Sequence, residues 1–271
     1  MARAIAPWDR DVLNDLQLFV YKPHRIIDPG NFEEVFRVLE KADLSYAYWN
    51  PDSGNPAKAG VMLYAGSDWV SREAGGRLTD FVRNGGTLVT FSRYPARDEF
   101  DAPLAGLPFQ KPEGARPTNL PVTVTYRKGK VTVTHGGHLG CKVNFAYFRK
   151  VEGEPIVAAL STKAKEVLVD IGATDAVSFA IGYARKVGRG KIIYLGSNPS
   201  SEILRMVLEQ EGAGNYVHSG EASVATSVLR HRRDGSLALF VINRGAARCR
   251  AEVNLNLRRL DDVLSALPTT G

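Results

Sequence analysis

Residues 60–91, GVMLYAGSDWVSREAGGRLTDFVRNGGTLVTF, decide the fold class of this chain. Gly60–Ala65 is a continuous apolar run, which is typical of a strand covered on both faces of a parallel sheet. Ser71–Arg83 predicts a helix with Ser71 as its N-cap, and a pair of glycines ends it. Thr87–Phe91 predicts a second buried strand. The order strand, helix, strand indicates a parallel sheet with a crossover helix.

The same alternation continues on both sides of this stretch. Upstream, two short strands flank a helix with an apolar stripe, for which Asn31 is the predicted N-cap. Downstream, Lys191–Gly196 is a buried strand, and a helix follows with Asn198 as its cap and Pro199 at its first helical position. The chain is therefore predicted to be an α/β protein. The upstream elements are Leu16–Tyr21, the helical stripe of Phe32, Val35, Phe36 and Leu39, and Ser45–Trp49.

Two stretches have a β pattern instead. After a proline-rich loop from Arg93 to Pro121, short strands predict a β insertion at about residues 112–175 of an α/β domain spanning 12–213. After Gly220, three strands without helices predict a small antiparallel β domain at 221–260. The predicted strands are Val122–Tyr126, Lys130–Thr134, Val143–Phe148, Ile156–Leu160, Glu166–Asp170, Ser178–Tyr183, Ser223–His231, Ser236–Asn243 and Arg248–Leu255.

The small β domain is expected to pack on the α/β domain. Three strands bury too little apolar surface to be stable alone. Apolar residues in its strands, including Leu239 and Val241, therefore need a surface to cover them.

Composition excludes several classes of protein. The chain has 271 residues, of which 44% are hydrophobic and 24% charged, so it has the composition of a folded globular protein. It has no apolar run of about 20 residues and no signal-peptide pattern, which predicts a cytoplasmic protein without a membrane span. Cys141 and Cys249 are expected to be reduced thiols.

The net charge of +6 is concentrated near the end of the chain. Eight Arg and four acidic residues lie between Ala222 and Gly271, which accounts for +4. Because these arginines spread over strands with only Phe240 as a stacking partner, we favour a solvated or protein-contacting face and expect no nucleic-acid partner.

No convincing catalytic constellation emerges from the residues. Ser92 is the one hydroxyl at the turn after Thr87–Phe91, but no GxSxG motif surrounds it. His135 and His138 lack a third ligand at a recognisable spacing, so no metal or cofactor is predicted, although whether these two histidines bind a metal stays open. Asp98 and Glu99 are adjacent acids, but their adjacency does not indicate the two converging carboxylates that a glycosidase needs across a sugar. Gly182–Gly190 is interpreted as a hairpin turn in preference to a phosphate-binding loop.

Three stretches resemble one family. Gly60–Pro95 and Gly182–Glu211 resemble the class I glutamine-amidotransferase-like domain of large bacterial β-galactosidases, glycoside hydrolase families 35 and 42. Residues 235–255, GSLALFVINRGAARCRAEVNL, resemble the small β domain that follows it. The resemblance covers roughly residues 12–257 and implies a flavodoxin-like, amidotransferase-like parallel sheet.

The resemblance also implies what the chain lacks. In that family the catalytic glutamates lie on a (β/α)8 barrel of about 250 residues, for which this chain has no room. The family's amidotransferase-like domain is not catalytic; it mediates trimerisation in family 42 and shapes the rim of the active site. The amidotransferase cysteine would fall near Ser92 and is absent, so no catalytic residue is carried over.

Three functions remain as hypotheses. The first is a non-catalytic assembly and support region whose partners are a glycosidase barrel and further copies of itself; whether the chain is a fragment or a complete product stays open. The second is a stand-alone carbohydrate or small-ligand binding module, and the third a diverged hydrolase using Ser92. Because ligands bind beyond the carboxyl ends of parallel strands, the candidate binding or interface residues are Asp68, Trp69, Ser92, Arg93 and Tyr94. Trp69 is expected outside the core, at a protein contact or the mouth of a cleft.

Overall fold

The computed structural model of the chain describes residues 8–9, 18–21, 29–42, 44, 46–49, 60–118, 121–133, 143–160, 178–213, 217–219, 223–231 and 237–255. The described strands are β1 Trp8–Asp9, β2 Leu18–Tyr21, β3 Ala47–Trp49, β4 Val61–Tyr64, β5 Thr87–Thr90, β6 Gly114–Thr118, β7 Val122–Tyr126, β8 Gly129–Val133, β9 Val143–Tyr147, β10 Glu154–Leu160, β11 Ser178–Val187, β12 Gly190–Leu195, β13 Val217–Ser219, β14 Val224–His231, β15 Leu237–Asn243 and β16 Val253–Leu255. The described helices are α1 Pro29–Lys41, α2 Arg72–Arg83 and α3 Ser201–Gln210.

The largest sheet in the described part of the chain is mixed, and its strand order is β3-β2-β4-β5-β12-β11-β10-β7-β8. The first five strands of that order are parallel to one another. The other neighbours pair antiparallel, so strands predicted as a β insertion extend the parallel sheet through β11. The predicted α/β class is confirmed.

Both faces of this sheet are covered by buried side chains. Alternate side chains of its central strands point to opposite faces. Leu88 and Ile192 face α2, whereas Val89 and Ile193 face the cluster that contains α1 and α3. All four side chains are fully buried. This two-sided burial explains why β4 is apolar throughout and why the central residues of β5 and β12 are apolar.

Local signals place α2 correctly. The Ser71 hydroxyl accepts a hydrogen bond from the Ala74 N–H at 3.2 Å, which satisfies one of the free N–H groups of the first turn. At the other end Gly85 has φ +116°, a conformation that costs glycine little and other residues much. The turn between β11 and β12 likewise contains Gly188 at φ +60°, which confirms the hairpin predicted for Gly182–Gly190.

Two predicted helix starts are wrong. α1 begins at Pro29, two residues before the predicted cap Asn31, because proline lacks the N–H that the first turn leaves free. α3 begins at Ser201 and is capped by the Ser200 hydroxyl, not by Asn198. Just before the helix, Ser197 forms an isolated β-bridge with Phe145 of β9.

The terminal strands pair differently from a simple three-stranded sheet. β14 lies between β15 and β1, a two-residue strand that the sequence did not predict. β16 pairs with β13 and begins at Val253, not at Arg248. Leu239 and Val241 are 43% and 49% exposed, so the expectation that they are covered is wrong for these two residues. The predicted strand Glu166–Asp170 lies outside the described residues, and the domain boundaries stay predictions.

Candidate functional site

Two loops that follow neighbouring parallel strands are joined at the carboxyl edge of the sheet. The loop after β4 contains Asp68, whose main-chain carbonyl accepts hydrogen bonds from the N–H groups of Ala96 and Arg97 at 2.9 and 3.0 Å. The Val70 N–H donates in return to the Arg97 carbonyl at 3.0 Å. These bonds make one ordered unit of two loops.

This unit carries an exposed surface formed by Trp69, Arg72 and Phe100, here called the aromatic platform. Trp69 is 47% exposed, and its indole N–H donates to Asp101 Oδ1 at 3.1 Å, which fixes the orientation of the ring. Phe100 is 72% exposed, and the Arg72 guanidinium carbon lies 5.3 Å from the centre of its ring, within cation–π range. Large apolar side chains are therefore held in place while exposed.

The buried carboxylate of Asp98 organises the platform from below. One oxygen accepts from Nε and Nη2 of Arg72 at 3.1 and 2.8 Å. The other accepts from the N–H groups of Phe100 and Ala102, both at 2.9 Å. The hydrogen bonds from Arg72 hold the pKa of Asp98 below its ordinary value, with the two main-chain donors acting in the same direction. Asp98 thus links the helix α2 to the loop that presents Phe100.

Tyr94 belongs to an aromatic cluster and not to the platform surface. Its ring stacks on Phe109 at 4.7 Å and meets the edge of Tyr194 at 5.6 Å between centroids. Burial raises the pKa of Tyr94, and the nearby charge of Asp68 adds to the effect. Burial also raises the pKa of Tyr183 to about 12, in the same cluster. The cluster is a packed support for the loop.

Ser92 stands at the turn after β5, held by its backbone. Its N–H donates to the Ser197 carbonyl at 3.3 Å, and its carbonyl accepts from the Tyr194 hydroxyl at 3.4 Å. The Ser92 side chain is exposed, and within the described residues its hydroxyl makes no hydrogen bond. A serine nucleophile needs a base within hydrogen-bond reach, and the described part of the chain does not bring one to Ser92.

A second concentration of charge surrounds Glu211, just after α3. Its side chain is only 3% exposed, and its carboxylate contacts Lys191 Nζ at 2.5 Å and Arg127 Nη1 at 2.9 Å. The Tyr126 hydroxyl donates to the same carboxylate at 2.7 Å. Burial, together with this carboxylate, raises the pKa of Tyr126 strongly, so its phenol stays protonated. This cluster joins α3, β12 and the β7–β8 hairpin.

The described residues contain no group of three His, Cys, Asp or Glu side chains able to hold a metal ion. His135 and His138 lie outside the described residues. No described helix is long and apolar enough to cross a membrane.

Comparison with solved structures identifies proteins of similar fold. The β-galactosidase from Bacillus circulans sp. alkalophilus matches with a TM-score of 0.54 at 16% identity, over 84% of this chain and 35% of that one. The cold-adapted β-galactosidase from Rahnella sp. R3 matches with 0.53 at 12% identity, over 84% and 36%. A catalytic mutant of Gan42B, a GH42 β-galactosidase from G. stearothermophilus, matches with 0.52 at 14% identity, over 84% and 34%.

The chain therefore has a β-galactosidase-related fold. It spans only about a third of the length of the solved chains that it resembles. No protein-family model and no curated protein sequence matches it. At these identities the likeness concerns the fold alone.

Within this β-galactosidase-related fold, the predicted site residues divide into two groups. Asp68 and Trp69 belong to the platform loops, whereas Ser92 and Tyr94 lie on the side of β12 and its aromatic cluster. Arg93 lies between Ser92 and Tyr94 in the sequence; it is partly buried and has interactions of its own. The two groups adjoin, because the charge of Asp68 lies near the Tyr94 phenol.

Sequence reasoning missed four residues that build the platform. They are Arg72, Asp98, Phe100 and Asp101. The adjacent acids Asp98 and Glu99 were visible, but their partner is the start of α2: the Arg72 N–H donates to Glu99 Oε2 at 2.5 Å. The sequence signal for this contact was a pair of acids in the loop after one strand and an arginine at the start of the preceding helix. Such a signal does not show that the acids and the arginine are close in space.

Proposed function

We propose that this chain is a non-catalytic assembly and support region of a β-galactosidase-type glycoside hydrolase, with a catalytic barrel of the same or a related glycosidase as its partner. The observation that carries the proposal is the aromatic platform. Trp and Arg are the side chains most enriched among the energetically dominant residues of protein interfaces. Here Trp69 on its loop and Arg72 at the start of α2 stand exposed beside Phe100, and their own hydrogen bonds hold them in place. Such a preorganised surface binds a partner without a large ordering cost.

The strand order favours an amidotransferase-like α/β domain for this region. The parallel strands follow the order β3-β2-β4-β5-β12, which corresponds to second, first, third, fourth and fifth along the chain among the five. This is the order of a flavodoxin-like sheet. We propose that the terminal strands form the small antiparallel β domain expected from the sequence. Both assignments agree with the resemblance to family 42.

The proposed assembly includes further copies of this chain, with the platform at the contact. The test is analytical ultracentrifugation of the full chain, of Trp69→Ala, and of Lys186→Ala as an exposed control on β11. We expect wild type to self-associate and Trp69→Ala to raise the dissociation constant at least about tenfold, the effect of losing one interface residue worth roughly 1.4 kcal/mol. The melting temperature should change little.

Two results would contradict this assembly role. One is a wild-type chain that stays monomeric at every concentration. The other is a collapse in the melting temperature of Trp69→Ala without any change in association, as expected of a core truncation that costs about 3–5 kcal/mol. A complementary observation concerns the natural coding sequence. If it continues upstream into a barrel-sized domain, a barrel partner is supported.

The exposed Trp69 and Phe100 rings also favour a second candidate, a carbohydrate-binding module. A sugar can stack its apolar face on a fixed aromatic ring, and Arg72 offers hydrogen-bond donors beside it. Titration with galactose and lactose, followed by tryptophan fluorescence, distinguishes the two functions. Saturable quenching that Trp69→Ala abolishes, in a chain that does not self-associate, would favour the binding module.

The third hypothesis, hydrolysis through Ser92, has the least support from the described residues. We expect the purified chain to hydrolyse neither chromogenic galactosides nor glutamine. Turnover that Ser92→Ala abolishes, with Ser67→Ala as a neighbouring-loop control, would favour a diverged hydrolase instead.

A further inference from the structure

The strand β15 forms an open edge of the small sheet β1-β14-β15, and Leu237–Asn243 is here called the β15 edge. Within the described residues, its hydrogen-bonded neighbour is β14, on one side only. Leu239, Phe240, Val241 and Ile242 are each 43–55% exposed. Because consecutive side chains point to opposite faces of a strand, four exposed neighbours mean that both faces of the strand are open.

The β15 edge lacks the features with which proteins protect a sheet edge. Its sequence, LALFVIN, contains neither a charged residue nor proline. Its pairing with β14 runs without a register shift from Val224 opposite Asn243 to Arg230 opposite Leu237, so no bulge turns it away. An uncharged, regular and exposed edge presents unpaired main-chain groups to another strand. It also supplies four of the six large exposed apolar side chains of the described chain.

The charges beside the edge indicate the chemistry of its partner. Arg244, Arg248 and Arg250 follow β15 and are exposed, against the single acid Glu252 in the same described segment. A second copy of the chain would bring the same excess of arginine to the contact, since the last fifty residues carry +4. Like charges facing each other across an interface oppose association. An acidic partner is favoured instead.

We infer that the β15 edge binds an extended apolar segment of a different protein chain, flanked by Asp or Glu, by strand addition. Main-chain hydrogen bonds to β15 supply affinity in this mode, and alternate side chains supply specificity. Leu239 and Val241 contact the incoming strand on one face, and Phe240 and Ile242 on the other. The arginines after β15 pair with the acidic flank. This surface lies on a different sheet from the aromatic platform.

The test uses the full chain and a fluorescein-labelled peptide of alternating Val and Thr with acidic residues at both ends, followed by fluorescence anisotropy. A peptide with Lys at the ends tests the charge, and one with a central Pro tests strand pairing. The protein variants are Val241→Lys, which places a charge on the edge, and the double variant Arg244→Glu/Arg248→Glu. Lys186→Glu is the matched charge-reversal control on another strand.

We expect saturable binding of the acidic peptide that weakens with salt and falls at least about tenfold in Val241→Lys and in the double variant. Lys186→Glu should bind like wild type, and the Lys and Pro peptides should not bind. Absence of binding by the acidic peptide, or equal binding of the acidic and Lys peptides, would overturn the proposal. Self-association of the wild-type chain that Val241→Lys abolishes would also overturn it, because the occupant would then be a second copy. Because Trp69→Ala leaves β15 unchanged, its effect on assembly is separate from this result.

Discussion

Replacing Glu211 with glutamine removes one buried negative charge and keeps the size of the side chain. The carboxylate is 3% exposed and neutralises Lys191 and Arg127, whose side chains are 30% and 32% exposed. Breaking a buried ion pair by removing one partner costs about 3–5 kcal/mol. Because both cations keep contact with water, and Arg127 keeps Glu154 at 3.0 Å, we expect a smaller cost than that range, about 2–3 kcal/mol.

The assay is urea unfolding of wild type, Glu211→Gln and a matched control, Glu154→Gln, at neutral pH. Glu154 contacts the same arginine but is 43% exposed, so its loss should cost under about 1 kcal/mol. In a chain of this size, about 2–3 kcal/mol corresponds to a fall in melting temperature of roughly 4–12 °C. Equal and small losses for the two variants would refute the view that Glu211 is a buried charge holding α3 to the sheet.

Three further predictions concern stability and the platform. The pKa of Tyr183 is raised to about 12 from an unfolded value of about 10, so the stability this residue contributes is present below pH 10 and is lost as the pH rises toward 12. Tyr183→Phe should flatten that part of the stability profile measured by denaturant unfolding. A Cβ on Gly190 would overlap main-chain carbonyl oxygens at the end of α2, so Gly190→Ala should cost about 1–3 kcal/mol or more, whereas Gly76→Ala, in open space within the helix, should add about 0.5–1 kcal/mol. The pKa of Asp98 is lowered, so its contribution is present above its unfolded value near 4 and is lost as the pH falls below it. Time-resolved anisotropy of Trp69 should then report a more mobile ring, and Asp98→Asn should show that mobility already at pH 7; an unchanged anisotropy would contradict the role of Asp98 as organiser of the platform.

The central α/β elements could be predicted from the sequence because their signals are local. The stretches Gly60–Ala65, Ser71–Arg83 and Thr87–Phe91 became β4, α2 and β5 with shifts of one residue at their ends. Continuous apolar runs arise where both faces of a strand are buried, and a capping serine acts over only three residues. At α3 the sequence offers two residues that are good caps, Asn198 and Ser200, and the structure uses Ser200.

The positions of the candidate site residues depended on contacts that no local pattern records. Asp98 binds Arg72 across 26 residues, and the two loops that carry Trp69 and Phe100 meet only because β4 and β5 are neighbours in the sheet. The five residues chosen from the sequence were chosen for following strands at one edge. In the structure the Tyr94 ring packs against Tyr194 with the Asp68 charge nearby, and the Ser92 backbone bonds to Ser197 and to the Tyr194 hydroxyl.

The sequence by itself determined that this chain is an α/β protein with a parallel core, where its main strands and helices lie, and that its charge is concentrated near its end. The tertiary structure alone decided which strands are neighbours, and which apolar side chains are covered. Leu239 and Val241 lie in a continuous apolar run like those of the buried strands, yet they are exposed. An apolar run shows that a strand has two apolar faces, but it does not show what packs against them. Whether a side chain is buried depends on which other elements pack against its strand, and the path of the whole chain decides which elements those are.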